Sequence, residues 1–464
     1  MMILSHEQLS RIDRLLTDPE PLELELRTLA SDFVYWHLSE REKLTRIARA
    51  ALTAMRLIGS NWKLELCAGL ALCALDSADA DAHLERALQF AETDDARADA
   101  KIEISRQRAR TSIISGRFAD AYRYLSGAPR DKFVDWSYST LLCYLGSAVF
   151  DPLNAATAVN YGTPARIPPS KLWNGSDISG KTVLIAHGGG YGDYIQFIRY
   201  APIMKVARGA ARVIATCRPH LVELIATVRG IDQLVRDDSG KQSAYGRYDP
   251  AVLNKIEYYD CGVELFGLPR VFRTRVDTVP ADVPYIFPPQ ERIEAARQLI
   301  GSEESFKIGV AWRASSSERS FPLKLYWALA AIPGVRIFGL QCEQDIYRDG
   351  APSPTVAEEI AACGFPITNL EAGASDAMRT AANMCALDLI VAPDTFAAHL
   401  AGALARPVLM ITPHVHDFRW LQLERTDSPW YPTMRLFRQP SPGDWAGALS
   451  QVTGAVREIV GGRI

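Results

Sequence analysis

The stretch Lys181 to Pro202, KTVLIAHGGGYGDYIQFIRYAP, restricts what this chain can fold into more than any other. The apolar run Val183-Leu184-Ile185-Ala186 reads as a buried strand, and Ile195, Phe197 and Ile198 recur at helical spacing. Between them lie the consecutive Gly188, Gly189 and Gly190, followed by Tyr191-Gly192-Asp193. Such a strand-to-helix junction leaves unpaired backbone N–H groups above the strand end, and glycines let an anion or a sugar approach the main chain closely. Asp193 adds a carboxylate in the first helical turn and is the leading candidate for chemistry.

Named motifs overlap this stretch, and each fails on context. Gly175-Ser176-Asp177-Ile178-Ser179-Gly180-Lys181-Thr182 matches the P-loop pattern, but Lys181-Thr182 lead into a strand where a phosphate-cradling loop opens a helix. His187-Gly188-Gly189-Gly190 matches an esterase oxyanion loop, yet no serine has the flanking glycines of a nucleophile elbow. Gly188, Gly190 and Gly192 are spaced G-x-G-x-G, which is not the dinucleotide fingerprint. Asp79-Ala80-Asp81 looks like a cation-binding D-x-D but reads better as a helix start, where an N-cap and acidic first-turn residues complement the macrodipole. His414-x-His416-Asp417 offers loop polar groups better suited to hydrogen bonding than to a metal.

The 464 residues exceed one ordinary core and divide into three regions. Residues 1–165 read as successive helices. Ser39-Glu40-Arg41-Glu42 is a capping box opening a helix to about Gly59, with Leu44, Ile47, Ala48, Ala51 and Met55 on one face. Further helices are expected at 62–75, 80–93, 95–115 and 118–126. Gly116-Arg117-Phe118-Ala119-Asp120-Ala121-Tyr122 has the small/aromatic spacing of a tetratricopeptide (TPR) helix pair, so the region is a degenerate all-α helical repeat suited to binding protein or dimerising. A Pro/Gly/Asn/Ser-rich connector, Thr163 to Gly180, then breaks the pattern.

Beyond it, strands are expected at 182–187, 211–216, 232–235 and 258–262, with helices near 193–206 and 219–228. The proline-rich segment Pro280 to Pro289 marks a second boundary. The rhythm restarts with strands at 307–312, 335–341, 387–391 and 407–411, helices near 323–331, 355–362, 375–384 and 395–404, and a closing helix at 444–459. Alternating βα units imply α/β halves with parallel sheets and ligands at the strands' carboxyl ends. The expected domains are 1–165, 166–288 and 289–464, the last two being a pair of Rossmann-like halves with a cleft between them.

Composition excludes several classes. With 51 basic against 54 acidic residues the net charge is −3, which argues against a dedicated nucleic-acid binder. Neither a signal peptide nor a transmembrane segment is read, so a cytoplasmic location is expected. Eight cysteines without a C-x-x-C pair read as reduced core thiols.

The second half supplies its own candidates. Asp394-Thr395 follow a strand and open a helix, and His399 projects from the same face. Trp312-Arg313 end another strand, with Ser315, Ser316, Ser317 and Arg319 in the adjoining loop; guanidinium and hydroxyl groups there suit a pyrophosphate. Gln341, at the end of the next strand, is a further donor-side candidate.

Taken together, these segments resemble the heptosyltransferase-type glycosyltransferases of family nine, in the branch that joins tetratricopeptide-like helices to a two-Rossmann GT-B transferase. The resemblance rests on Gly190 to Pro202, Val279 to Tyr285, Gly309-Val310-Ala311-Trp312, Asp394-Thr395 with His399 to Leu404, and Asp427 to Pro432 running into Met434 to Gln439. It implies a nucleotide-sugar donor, no cofactor or metal, and an inverting transfer in which Asp193 is general base. Arg319 stands in place of a phosphate-binding lysine, and Asp394, Thr395 and His399 match the diphosphate-gripping motif. Residues Gly188, Gly189, Gly190, Tyr191 and Gly192 then line the acceptor side. The sequence departs from the branch at Gly188-Gly189, Phe418 and Arg313-Ala314. The helical region, more than a third of the chain, favours a protein acceptor such as a flagellin or adhesin. A lipopolysaccharide heptosyltransferase-like enzyme and a catalytically inactive scaffold that binds a partner through its helices are the alternatives. A homo-oligomer, the nucleotide and the sugar are left open.

Overall fold

A computed structural model describes residues 41–75, 77–114, 117–128, 167–238, 250–301, 304–314, 319–342, 354–372, 376–414, 416–421 and 424–462. The expected capping box at Ser39 and the serines 315–317 lie outside the described residues. The chain forms two compact units, one within Met1–Leu145 and one that contains both sheets.

In the first unit the described helices are α1 (Arg41–Ile58), α2 (Trp62–Ala74), α3 (Ala80–Phe90), α4 (Asp94–Ile114) and α5 (Phe118–Ser126), each within a few residues of its expected span. Asn61 caps α2 by accepting from the N–H groups of Lys63 and Leu64. Small residues allow α2 and α3 to pack tightly: a Cβ on Gly69 would stand 2.5 Å from Leu84 Cδ2. Ile47, Ala48, Ala71, Leu84, Ala87 and Ile104 share one core. Asp79 stands at the N-cap position of α3 but makes no side-chain cap bond, while Asp81 pairs with Arg108 across to α4.

The second unit is α/β. Strands β1 (Thr182–Ala186), β2 (Arg212–Cys217), β3 (Gln233–Arg236) and β4 (Cys261–Glu264) form a parallel sheet in the order β3-β2-β1-β4. Strands β5 (Phe306–Val310), β6 (Val335–Gly339), β7 (Thr368–Asn369), β8 (Leu389–Pro393), β9 (Val408–Thr412) and β10 (Met434–Arg438) form the second, ordered β10-β9-β8-β5-β6-β7. All its pairs are parallel, and the order is that of a complete Rossmann sheet. Two such halves in one unit constitute a GT-B-type architecture, preceded in sequence by the helical unit. Strand order reverses beside β1 in one sheet and between β5 and β8 in the other, and these switch points are where crevices open at the carboxyl ends.

The expected helix over 193–206 is two helices, α6 (Tyr191–Phe197) and α7 (Tyr200–Val206). Pro202 explains the break: its missing N–H and its ring are tolerated in the first turn of a new helix but not inside a continuous one. The connector residues from Ile167 onward belong to the first sheet: Ile167 enters its core, and Trp173 N–H donates to the Gly262 carbonyl. Lys181-Thr182 enter β1 at its amino end, opposite the ligand-facing end. Among the described residues no helix is long and apolar enough to cross a membrane. The seven described cysteines are free.

Candidate functional site

The loop after β1 lies at the first switch point and leads directly into α6. Gly190 is the N-cap of α6, and its N–H donates to Asp193 Oδ2 at 2.7 Å, which fixes the carboxylate over the first turn. Gly189 has φ +73°, and a Cβ there would come within 2.4 Å of the Phe266 ring and 2.7 Å of Asp193 Oδ2. A glycine is required at this position both by backbone conformation and by space. Arg218, at the end of β2, donates to the Gly189 carbonyl at 2.7 Å and lies over the Tyr191 ring.

The loop after β8 meets it. Thr395 is the N-cap of α11 (Phe396–Ala403, numbered after α8, Gln290–Ile300, α9, Val356–Ala362, and α10, Ala377–Cys385). Its hydroxyl donates to the Pro393 carbonyl, so the first N–H groups of α11 have no side-chain cap. Helices α6 and α11 pack directly on each other. A Cβ on Gly192 would lie 2.7 Å from His399 Cδ2, so Gly192 sets how closely the two halves approach. Tyr191 and Phe396 extend the contact edge to face, with ring centroids 6.1 Å apart.

One arginine bonds across this contact, and the other polar groups gather behind it within the second half. Arg419, in the loop after β9, donates to Asp193 Oδ1 at 2.7 Å and to Gln196 Oε1 at 2.9 Å, while its Nε holds Asp417 at 2.9 Å. Asp394 receives the Trp420 indole N–H at 3.1 Å, and His399 Nε2 lies 3.5 Å from its other oxygen. His399 Nδ1 is 3.0 Å from the Tyr431 hydroxyl. Arg319 donates to the Asp394 carbonyl at 3.0 Å and keeps about a third of its side chain in solvent, with a relative accessibility of 36 %.

The electrostatics follow from these contacts. Burial pushes the Asp193 carboxyl up, but the Arg419 charge, its hydrogen bond and the Gly190 N–H together hold it below the usual carboxylate range. Burial likewise opposes ionisation of Asp394, and the His399 contact with the Arg319 charge outweighs it, leaving that carboxyl well below its ordinary value. Both are therefore ionised at neutral pH.

Asp193, Asp394, Thr395, His399, Arg319 and the loop residues Gly188 to Gly192 thus lie around one contact between the halves. Trp312, Arg313 and Gln341 do not join them. Trp312 is buried with its indole N–H on Glu359 at 2.5 Å, and Arg313 is buried against the same carboxylate at 2.8 Å and the Pro354 carbonyl. Gln341 Oε1 accepts from the N–H groups of both Trp312 and Arg313, bracing the end of β5 against β6. These three, expected on the donor side, are buried within the second half on the partners just named. Ser315 falls outside the described residues. Among the His414-x-His416-Asp417 group, His414 Nδ1 lies 3.0 Å from the Gln439 carbonyl and Asp417 serves Arg419.

Two residues escaped the sequence reading. Arg419 carried only a weak signal, a basic residue two positions beyond Asp417. Arg199 carried none: it is buried, donates to the carbonyls of Pro280 and Trp430 at 3.0 and 2.6 Å and to the Tyr285 hydroxyl at 2.9 Å, and lies over the rings of Tyr285, Tyr431 and Trp430. It ties α6–α7, the linker and the 428–431 loop into one joint.

No protein-family model matches the chain. Protein FlbA of Caulobacter vibrioides is 23 % identical over 304 residues, covering 63 % of this chain. The alignment takes in 49 % of FlbA, so the chain spans about half the length of that curated relative. Among solved structures, the family 9 glycosyl transferase of Veillonella parvula matches 57 % of this chain and 88 % of its own, at 12 % identity and TM-score 0.43. The ADP-heptose lipopolysaccharide heptosyltransferase II of E. coli matches 60 % and 99 %, at 13 % identity and TM-score 0.41. The GT-B-type assignment itself stands on the strand order of the two sheets.

Proposed function

We propose that the protein is an inverting, metal-independent glycosyltransferase that moves a sugar from a nucleoside-diphosphate donor to a hydroxyl acceptor. One observation carries the reading. At the contact of the two halves, an ionised carboxylate on one wall faces an uncapped helix start with an adjacent, partly exposed arginine on the other.

Displacing a nucleoside diphosphate builds positive charge at the anomeric carbon and negative charge on the leaving phosphate. The N–H groups at the start of α11 and the Arg319 guanidinium are suited to the second charge. Asp193 accepts the proton of the acceptor hydroxyl as its oxygen attacks the anomeric carbon opposite the departing phosphate, which inverts that centre. Asp394 has a different task from direct contact with the diphosphate: its carboxylate holds Trp420 and His399, and its carbonyl holds Arg319. The glycines of the β1 loop let the main chain close on the Asp193 carboxylate, which Gly189 and Gly190 both approach.

The acceptor is proposed to be a protein hydroxyl, on the ground that a helical unit of five described helices accompanies the transferase. Thermal unfolding of the full chain with ADP, UDP, GDP and CMP tests the reading. A ligand that binds only the folded state raises stability by about 2.7 kcal/mol at one hundred times its Kd. Stabilisation by one diphosphate is expected, and stabilisation by none would count against the function.

A further inference from the structure

Asp193 and Arg419 are locked together in a way that opposes the task proposed for Asp193. The guanidinium occupies Asp193 Oδ1 and the Gly190 N–H occupies Oδ2, both at 2.7 Å. A carboxylate held by two donors is a poor proton acceptor, and a general base works best when its affinity for protons is near that of the medium. Something has to release it before the acceptor is deprotonated.

Arg419 has the means to do so. It belongs to the donor half, and the next residue, Trp420, is hydrogen-bonded to Asp394, immediately before the start of α11. Its neighbour Gln196, by contrast, is only half satisfied. Gln196, fully buried beside it, gives its Oε1 to the guanidinium and leaves its Nε2 without a hydrogen-bond partner among the described residues.

Building on the glycosyltransferase reading, we propose that Arg419 is a donor-responsive positioning residue. Without donor it masks the Asp193 carboxylate and bridges the halves; a diphosphate seated at the start of α11 competes for the guanidinium, draws it off Asp193 and frees the base. Donor arrival thereby precedes activation of the acceptor, which limits proton transfer to water-accessible Asp193 when no sugar is present. Asp193 and the diphosphate are then rivals for one cation.

Calorimetric titration of the full chain with ADP, with inorganic pyrophosphate as the base-free probe, tests this in a double-mutant cycle. Asp193→Asn removes the rival and tightens ADP binding by ~5- to 100-fold, the range of ordinary coupling between sites. In the Arg419→Gln background the gain from Asp193→Asn shrinks to the few-fold relief of plain repulsion. Arg419→Lys, which retains a cation and so guards against a misfolded Gln variant, restores part of the gain. An equal gain in wild-type and Arg419→Gln backgrounds, no gain at all, or no recovery with lysine would each overturn the proposal while leaving the glycosyltransferase reading intact. Failure of wild-type protein to bind ADP, any other nucleoside diphosphate or pyrophosphate would overturn both.

Discussion

Two strand-to-helix turns meet at the centre of the second unit, and each carries an aspartate in a different setting. Asp193 follows β1 through a glycine loop, retains 20 % of its side-chain surface, and has its strongest partner, Arg419, on the opposite half. Asp394 follows β8 through a short turn, is 5 % exposed, and is held by Trp420 and His399 of its own half. The first carboxylate is the one proposed to exchange partners when a ligand arrives; the second cannot move without leaving buried donors unmet. On the proposed function, the same residue type at the same kind of junction is a reacting group in one place and a frame in the other, and burial with partner origin makes the difference.

The largest test of that contrast is Asp193→Asn. Sugar transfer, followed as nucleoside diphosphate released, should fall by about 10²–10⁴-fold, the worth of a positioned general base, while nucleotide affinity is kept or improved. Turnover within threefold of wild type would make Asp193 a second frame, by the order of effect a base commands. Asp394→Ala should act on stability instead. Stranding His399 and the Trp420 N–H beside an emptied site is expected to cost about 3–5 kcal/mol, as for a broken buried pair, read by denaturant unfolding of the full chain. An exposed-residue effect near zero would show that Asp394 frames nothing.

Gly192→Ala sharpens the point of contact between the turns. Its methyl would meet the His399 ring at 2.7 Å, and relief requires the helices to separate. Overpacking of this kind costs about 1–3 kcal/mol. Turnover should drop with the stability, and a fully active, fully stable variant would mean the halves are not seated against each other here. Acid provides the gentlest probe. Both carboxyls lie below the Asp reference of 3.8 in the folded state. Their contribution to stability is therefore present above about pH 4 and is lost as pH falls through the depressed folded values. Between pH 4 and 2, melting temperature should fall less steeply for Asp394→Asn than for wild type.

The sheets were legible because their strands are short apolar runs bounded by turn residues, and eight of the ten were expected within a few positions. The two that were not have physical reasons. β7 is two residues long, too short to show any period, and β10, Met-Arg-Leu-Phe-Arg, mixes charge into an edge strand that faces solvent on one side. At the site, Gly188 to Asp193 and Asp394-Thr395 could be read because local chain geometry places them. The pairing of Trp312 and Arg313 with Glu359 was not legible, because sequence marks the end of a strand but not which way a side chain turns, and Glu359 lies far along the chain. Arg419 and Arg199 were hidden for the same reason: their partners are Asp193 in one case and Pro280, Tyr285 and Trp430 in the other.

The division of labour between the two turns is tested most directly by a crystal structure of the full chain with a bound nucleoside diphosphate. The phosphates should sit within hydrogen-bond reach of the Phe396 and Ala397 N–H groups and the Arg319 guanidinium, with the Gly188 to Gly192 loop left open beside Asp193. Phosphates cradled on Gly188, Gly189 and Gly190, with the start of α11 empty, would reverse the assignment of donor and acceptor walls and contradict this account.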